Sequence, residues 1–329
     1  MIISQTPVRI SFLGGGTDYP AYFRRHGGAT LATSINKYTL ITVQPVPLFA
    51  DYCARINYSR VESVQSIDDI KHPSARECLR FMRLTEGVEI HYVSDLPART
   101  GVGSSSSATV GLLMALHAFK NEMVSPEQVA EEAVHVEQDM IRERVGCQDQ
   151  YICALGGLRH LRFDPEGQVR ADPVILSPGR RAELQDRLML LYTGIQRSAH
   201  EVLEEQLQRT EAGENHAELG QLLELVASGL EVLASGRNLA EFGELLHHAW
   251  QLKRRLSASI TTPWIDEAYA RARKAGAVGG KLLGAGGGGF LLLFVEPDDR
   301  ERVRRALPEL REAEFAFEDT GSRVIFYRA

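Results

Sequence analysis

Few cysteines, no long apolar run and no surplus of positive charge mark this chain of 329 residues. The four cysteines, Cys53, Cys78, Cys147 and Cys153, form no CxxC pair and no zinc-ligand spacing. Neither a disulfide scaffold nor a zinc module is therefore indicated. They read as small buried thiols, and with no leader-like segment the expectation is a cytoplasmic protein. The longest apolar run, Phe290 to Val295, falls far short of the ~20 residues that a membrane span needs. A net charge of −6 argues against nucleic acid as a partner, while leaving room for a local basic pocket. The segment GxxxxGKS/T is missing, which argues against a P-loop nucleotide site. Internal repeats and low-complexity tails are missing too.

What is there is an ordinary globular composition, 44% hydrophobic and 24% charged, over a length suited to two domains. The expected division is 1–180 and 181–329. The first part mixes strands and helices. Val8 to Leu13 reads as a strand entering a Gly turn, and Thr30 to Val46 as a hairpin or long strands. Ser125-Pro126-Glu127-Gln128 is a helix start, with Ser as cap and Pro at the first helical position. That helix is expected to run to Gly146. Strands follow at Leu158 to Phe163 and Val169 to Leu176. The second part opens with a strand, Leu188 to Tyr192. Amphipathic helices come next, over the stripe Leu219 to Leu233, over Ala240 to Ser257 and over Pro263 to Lys274. A strand at Phe290 to Val295, a helix near Arg300 to Glu309 and two strands ending at Tyr327 close the chain.

Three glycine-rich segments stand out. Gly101-Val102-Gly103-Ser104-Ser105-Ser106-Ser107 follows a strand-like run, Val88 to Val93, and precedes a helix-like run, Ala108 to Phe119. The first N–H groups of a helix lack intrahelical partners and lie at its positive end, which makes this a site for phosphate. By itself the loop reads equally well as a flexible capped turn. Gly14-Gly15-Gly16-Thr17-Asp18 is the second. Its N–H groups are free to donate, and Asp18 can accept from the hydroxyls of a sugar or polyol. Arg9, just upstream, is a fork suited to phosphate. A plain strand-to-turn junction explains the same residues. The third, Gly276 to Gly289, contains GxGxxG in the order helix, loop, strand, opposite to a dinucleotide site. It is expected to be a loop around an anion or substrate, with Lys281 as charge partner.

Two carboxylates complete the set. Glu137 is expected on the Ser125 helix and Asp149 on the loop after Gly146. Phosphoryl transfer needs an oxygen ligand for Mg²⁺ and a group that orients or deprotonates the attacking hydroxyl. Glu137 fits the first role and Asp149 the second.

With these segments in order, the chain resembles the GHMP small-molecule kinases over about residues 5 to 327. Within them it looks most like the bacterial heptose 7-phosphate kinases. Pro7-Val8-Arg9 through Tyr19-Pro20, Tyr192-Thr193-Gly194-Ile195-Gln196-Arg197 and Lys281 to Phe290 carry the likeness. The resemblance implies an α+β fold of two domains, with ATP and acceptor in the cleft between them. It implies that Gly101 to Ser107 bind ATP phosphates and that Ser105 and Glu137 hold Mg²⁺. Asp149 and Arg9 would be catalytic. Gly15, Gly16, Thr17, Asp18, Gly194, Arg197, Lys281, Gly286 and Gly287 would meet the acceptor. Galactokinases carry Glu-His where this chain has Gly15-Gly16, which leaves room for a bulkier sugar. The implied reaction is phosphorylation of the anomeric hydroxyl of a heptose 7-phosphate. Its phosphate would meet Arg24, Arg25, Lys37, Arg197 or Lys281, with Arg197 preferred. The alternatives are a related kinase of L-fucose, galactose or an N-acetylhexosamine, or a sensor without activity.

Overall fold

The structure is a computed structural model that describes residues 1–84, 87–196 and 199–328, with the main chain alone over 199–202. The chain opens with strand β1 (Ile2–Leu13), helix α1 (Pro20–His26) and strands β2 (Gly28–Pro45), β3 (Ala54–Asn57) and β4 (Val61–Val64). Helix α2 (Pro73–Phe81), strand β5 (Val88–Ser94) and helices α3 (Ser104–Phe119), α4 (Pro126–His135) and α5 (Gln148–Leu155) follow. Then come β6 (Leu158–Phe163), β7 (Val169–Pro173), α6 (Pro178–Asp186) and β8 (Leu188–Tyr192). Three helices continue: α7 (Ala199–Glu211), α8 (His216–Ala234) and α9 (Ala240–Lys253). The chain ends with α10 (Pro263–Lys274), β9 (Ala277–Leu282), β10 (Phe290–Val295), α11 (Arg300–Ala306), β11 (Arg311–Glu312) and β12 (Arg323–Tyr327).

Two sheets result. The larger runs β12-β1-β2-β5-β3-β4, with β6 and β7 continuing from β2. The smaller is β11-β8-β10-β9. All pairs are antiparallel except β3 with β5. The β-branched stretch that allowed a hairpin is one unbroken strand, β2. It can be that long because its first half pairs with β6 and its second half with β5. The expected boundary at residue 180 falls within α6, yet β12 crosses back and pairs with β1.

Strand alternation decides what faces the site. Val8, Ile10 and Phe12 enter a core shared with Trp250, Phe242 and Phe294. Arg9 and Ser11, one residue out of phase, face a cleft instead. A second core lies under α2, α3, α4 and α5 and includes Leu79, Val110, Leu113, Val129 and Ile152. Ser125 caps α4 and Thr262 caps α10 through their side chains, each worth about 1 kcal/mol. Among the described residues no helix is long and apolar enough to cross a membrane.

Three local expectations need correction. The Ser125 helix does not run to Gly146: it widens into a π-helical turn over Val136–Met140 and stops at Ile141. Asp149 lies not on a loop but in the first turn of α5. The third glycine segment is not loop throughout, because Ala277–Leu282 forms β9. Glycine suits that strand because α9 crosses it closely: a Cβ on Gly279 would lie 1.8 Å from the Gly243 carbonyl oxygen.

Candidate active site

A cleft of about 1290 Å³ is lined by residues of both sheets and of α3, α5, α7 and α9. Its centre is an ion pair. Arg9 Nε and Nη2 donate to the two carboxylate oxygens of Asp149, each at 2.7 Å, and Nη1 donates to the Gly101 carbonyl at 2.6 Å. The fork thus ties β1, the start of α5 and the serine loop together. The Arg9 side chain is 5% exposed and that of Asp149 25%, so the carboxylate retains an open side toward the cleft. The third glycine segment joins the same centre, since a Cβ on its Gly284 would lie 2.4 Å from Gly101 Cα, and Phe290 N–H just after it donates to the Thr100 carbonyl at 3.1 Å.

The serine loop is the N-terminus of α3. Gly103 precedes the helix in a left-handed conformation, and no side chain caps the end. Ser107 N–H bonds back to the Gly103 carbonyl, so the N–H groups of Ser104, Ser105 and Ser106 remain for a ligand. A Cβ placed on Gly103 would lie 3.3 Å from Asp149 Oδ2. Phosphate at this helix end would therefore sit beside the Arg9–Asp149 pair.

Glu137 projects from the π-helical turn. Its Oε2 accepts from Ser106 Oγ at 3.0 Å and from Gln150 Nε2 at 2.5 Å. The structure brings Ser106 to Glu137, whereas Ser105 is exposed at the cleft wall. Residue 106 rather than 105 follows the side of α3 that faces the π-turn. Among the described residues, Glu137 Oε1 and Ser104 Oγ are buried without a hydrogen-bond partner. Burial pushes the Glu137 carboxyl up to about 7. A hard cation would supply the missing partner, so the residues fit Mg²⁺. Among the described residues no cluster of three His, Cys, Asp or Glu forms a metal cage. One carboxylate and a hydroxyl beside a phosphate site is the arrangement by which Mg²⁺ is usually held, with phosphate oxygens and water completing the shell.

Asp18 Oδ1 accepts from Gly16 N–H at 2.9 Å, and burial pushes its carboxyl up to about 6. Glycine at 146 leaves room for this carboxylate, because a Cβ there would lie 1.9 Å from Asp18 Oδ2. Lys281 Nζ donates to the Phe12 carbonyl at 2.9 Å. Ser11 Oγ donates to Gln148 Oε1 at 2.8 Å.

Of the residues singled out by sequence, the cleft gathers Arg9, Gly15, Gly16, Asp18, Gly101, Gly103, Ser104, Ser105, Ser106, Glu137, Asp149 and Lys281. Val102 and Ser107 are instead buried beneath the loop, Ser107 Oγ donating to the Thr6 carbonyl. Thr17 is also buried, its hydroxyl donating to the carbonyls of Gly14 and Ala29. Gly194, Gly286 and Gly287 are not in the lining. Gly287 N–H is spent on the Ile260 carbonyl. Arg197 lies outside the described residues. Arg24 and Arg25 are exposed on α1, and with Lys37 they stay outside the lining. Sequence reasoning missed Gln148, Gln150 and Lys253. The glutamines flank Asp149 and were open to inspection; Lys253, amid Trp250-Gln251-Leu252-Lys253-Arg254, carries no motif.

Residues 72–157 match the family described as GHMP kinases N terminal domain, and residues 187–312 match GHMP kinases C terminal. The chain belongs to the GHMP kinases. It is therefore an ATP-dependent phosphotransferase with a hydroxyl acceptor. This GHMP kinase is 27% identical to the D-glycero-alpha-D-manno-heptose 7-phosphate kinase of Campylobacter jejuni, over 93% of each chain. It is 27% identical to the L-fucokinase/L-fucose-1-P guanylyltransferase of Bacteroides fragilis, covering 98% of this chain and 38% of that longer one. The crystal structure of a D-glycero-D-manno-heptose 1-phosphate kinase from Bacteroides thetaiotaomicron shares the fold with a TM-score of 0.80, 24% identity and full coverage of both chains.

Proposed function

We propose that this GHMP kinase transfers the γ-phosphoryl group of ATP to the anomeric hydroxyl of D-glycero-D-manno-heptose 7-phosphate, giving the 1,7-bisphosphate. The arrangement that carries the reading is the Arg9–Asp149 pair beside the uncapped N-terminus of α3. A phosphoryl donor at the helix end and a hydroxyl on the open side of Asp149 would meet there. The heptose enters through the likeness to the Campylobacter jejuni enzyme and through Gly15, where a Cβ would meet only Ser11 Oγ at 3.5 Å, whereas Gly16 is packed against Leu219.

The roles follow from position. The N–H groups of Ser104, Ser105 and Ser106 bind nucleotide phosphates. Glu137, with Ser106 as its hydroxyl neighbour and Ser105 on the cleft wall, would hold Mg²⁺, which offsets charge on those phosphates when bound. Asp149 accepts and orients the anomeric hydroxyl. Both its oxygens already bond Arg9, so each offers only a remaining lone pair, and orientation rather than strong basicity is its contribution. Arg9 counters charge as the phosphoryl group moves. Asp18 accepts from sugar hydroxyls. Residues 1–180 and 181–329 form the two halves of the cleft, except that β12 is shared. The product would feed synthesis of nucleotide-activated heptose for surface polysaccharide, in the cytoplasm where ATP is supplied.

An ADP-release assay over heptose 7-phosphate, heptose, L-fucose, galactose and N-acetylhexosamines tests this. Heptose 7-phosphate should give the highest kcat/KM, with a new anomeric phosphate resonance in the phosphorus NMR spectrum. Faster turnover of an unphosphorylated hexose, or a phosphate on another carbon, would overturn it.

A further inference from the structure

The cleft lining includes two buried lysines that the mechanism does not use. Lys253, at the end of α9, is 9% exposed and Lys281, in β9, is 5% exposed. Among the described residues, main-chain carbonyls alone hold their ammonium groups. Lys253 Nζ donates to Leu282 at 3.0 Å and to Gly284 at 2.5 Å, and Lys281 Nζ to Phe12 at 2.9 Å. Each ammonium has three donors, so Lys281 keeps two and Lys253 one for something else. Arg9 faces them from β1 and Asp18 from the glycine turn. Arg9 is already committed to Asp149. Three buried basic groups thus face two carboxylates, one of which is taken, and burial with the neighbouring basic groups pushes Lys253 well below its ordinary value. Buried charge without a counter-charge is costly, and an anion from outside would restore the balance.

This spot adjoins the ATP-phosphate loop, since a Cβ on Gly284 would lie 2.4 Å from Gly101 Cα, but the side chains come from different walls. The lysines belong to the layer of α9 and β9, while the serine loop and Glu137 belong to the other wall. The floor beside them is formed by Gln206, Leu256 and the glycine turn. A Cβ on Gly16 would lie 3.5 Å from Gln206 Nε2 and 3.7 Å from Leu256 Cδ1. Burial and the neighbouring Arg9 push Lys281 down to about 7, a push that a bound dianion would reverse.

We infer that the ammonium groups of Lys253 and Lys281 form the subsite for a phosphate monoester carried by the acceptor. The inference rests on the reading of the acceptor as a sugar phosphate. A dianion there accepts from the two free donors of Lys281 and the one of Lys253. The fixed carbonyls of Phe12, Leu282 and Gly284 keep both side chains in place before the ligand arrives. The other source of the same chemistry is the γ-phosphoryl group of ATP in transit, and kinetics separate the two.

Lys281→Gln removes the charge and keeps an N–H for the Phe12 carbonyl; Lys281→Arg restores charge. The preference for heptose 7-phosphate over heptose, as a ratio of kcat/KM, should fall at least ~10-fold in Lys281→Gln and recover in part in Lys281→Arg. KM for ATP should move less than about twofold. An unchanged ratio, or an equal loss with both acceptors, would assign the lysines to the transferred group and overturn the inference. Lys253→Met is the second variant, with the same expected collapse of the ratio. If wild-type enzyme shows no preference for heptose 7-phosphate, the substrate reading fails, and calorimetry with inorganic phosphate decides the subsite by itself. With a non-hydrolysable ATP analogue filling the nucleotide site, wild type should bind phosphate and Lys281→Gln should bind it at least ~10-fold more weakly. No binding, or binding untouched by the variant, would overturn it.

Discussion

Replacing Asp149 by Asn perturbs the centre of the cleft at nearly constant volume. Asp149 gives Arg9 two charge-assisted bonds of 2.7 Å. Asn retains one carbonyl oxygen and presents an amide NH₂ where the second oxygen stood. One bond survives in neutral form and the other becomes a donor facing a donor. Arg9, with its side chain 5% exposed, then relies on the Gly101 carbonyl and a single amide oxygen. Losing a bond to a charged group costs about 1.5–3 kcal/mol, at the lower end here because the Asp149 side is partly open to solvent. The variant should stay folded and melt several degrees lower. Catalysis should suffer more. The hydroxyl loses its acceptor, and effects of positioned acid–base groups run to ~10²–10⁴-fold, so kcat should fall at least ~10²-fold. KM for ATP should change little, because the α3 N–H groups are untouched. A coupled ADP-release assay at varied ATP, paired with a thermal melt, reads both effects. A kcat within about threefold of wild type in a folded Asp149→Asn protein would refute the placement of the acceptor hydroxyl beside this carboxylate.

Glu137 and Gly146 give two further tests. Burial holds Glu137 near 7 against an ordinary 4.5, so the folded protein keeps the proton longer than the unfolded chain. Stability from this group is present below about pH 4.5 and lost as pH rises to about 7, by about 3 kcal/mol at most. Denaturant titrations of nucleotide-free Glu137→Gln should show a shallower decline over that window, though Asp18, raised to about 6, keeps some slope of the same sign. The same variant should need more Mg²⁺ for half-maximal rate, and an identical slope with an identical Mg²⁺ titration would remove Glu137 from the metal site. Gly146→Ala drives a methyl group to 1.9 Å from Asp18 Oδ2, so that carboxylate must move. Acceptor KM should rise ~10-fold or more, and an unchanged KM in a folded variant would separate Asp18 from the acceptor.

Legibility in the sequence followed locality. Ser125-Pro126 announced α4, and Pro263 to Lys274 matched α10 at both ends, because cap and proline act within one turn. The serine loop announced an anion site for the same reason. Joining Arg9 to Asp149, 140 positions apart, is a tertiary event that no local signal carries. There the ordered set of motifs stood in for geometry. Where motif and packing diverged, packing won. Thr17 and Ser107 are polar and flank the site, yet both serve carbonyls in the interior. The π-turn after α4 has no composition signal and still decides where Glu137 points. Lys253 carries no local signal at all, and only the packing of α9 on β9 puts it inside.

The return of β12 to β1 has a mechanical result. The polypeptide passes between the two layers twice, once between β7 and β8 and again between β11 and β12, and the N-terminal amine of Met1 bonds the Arg328 carbonyl at 2.8 Å. The two layers are therefore tied at more than one point, which limits how far they can swing apart. Met1 and Arg328 meet beside β12, the edge strand of the larger sheet, and neither residue lines the cleft.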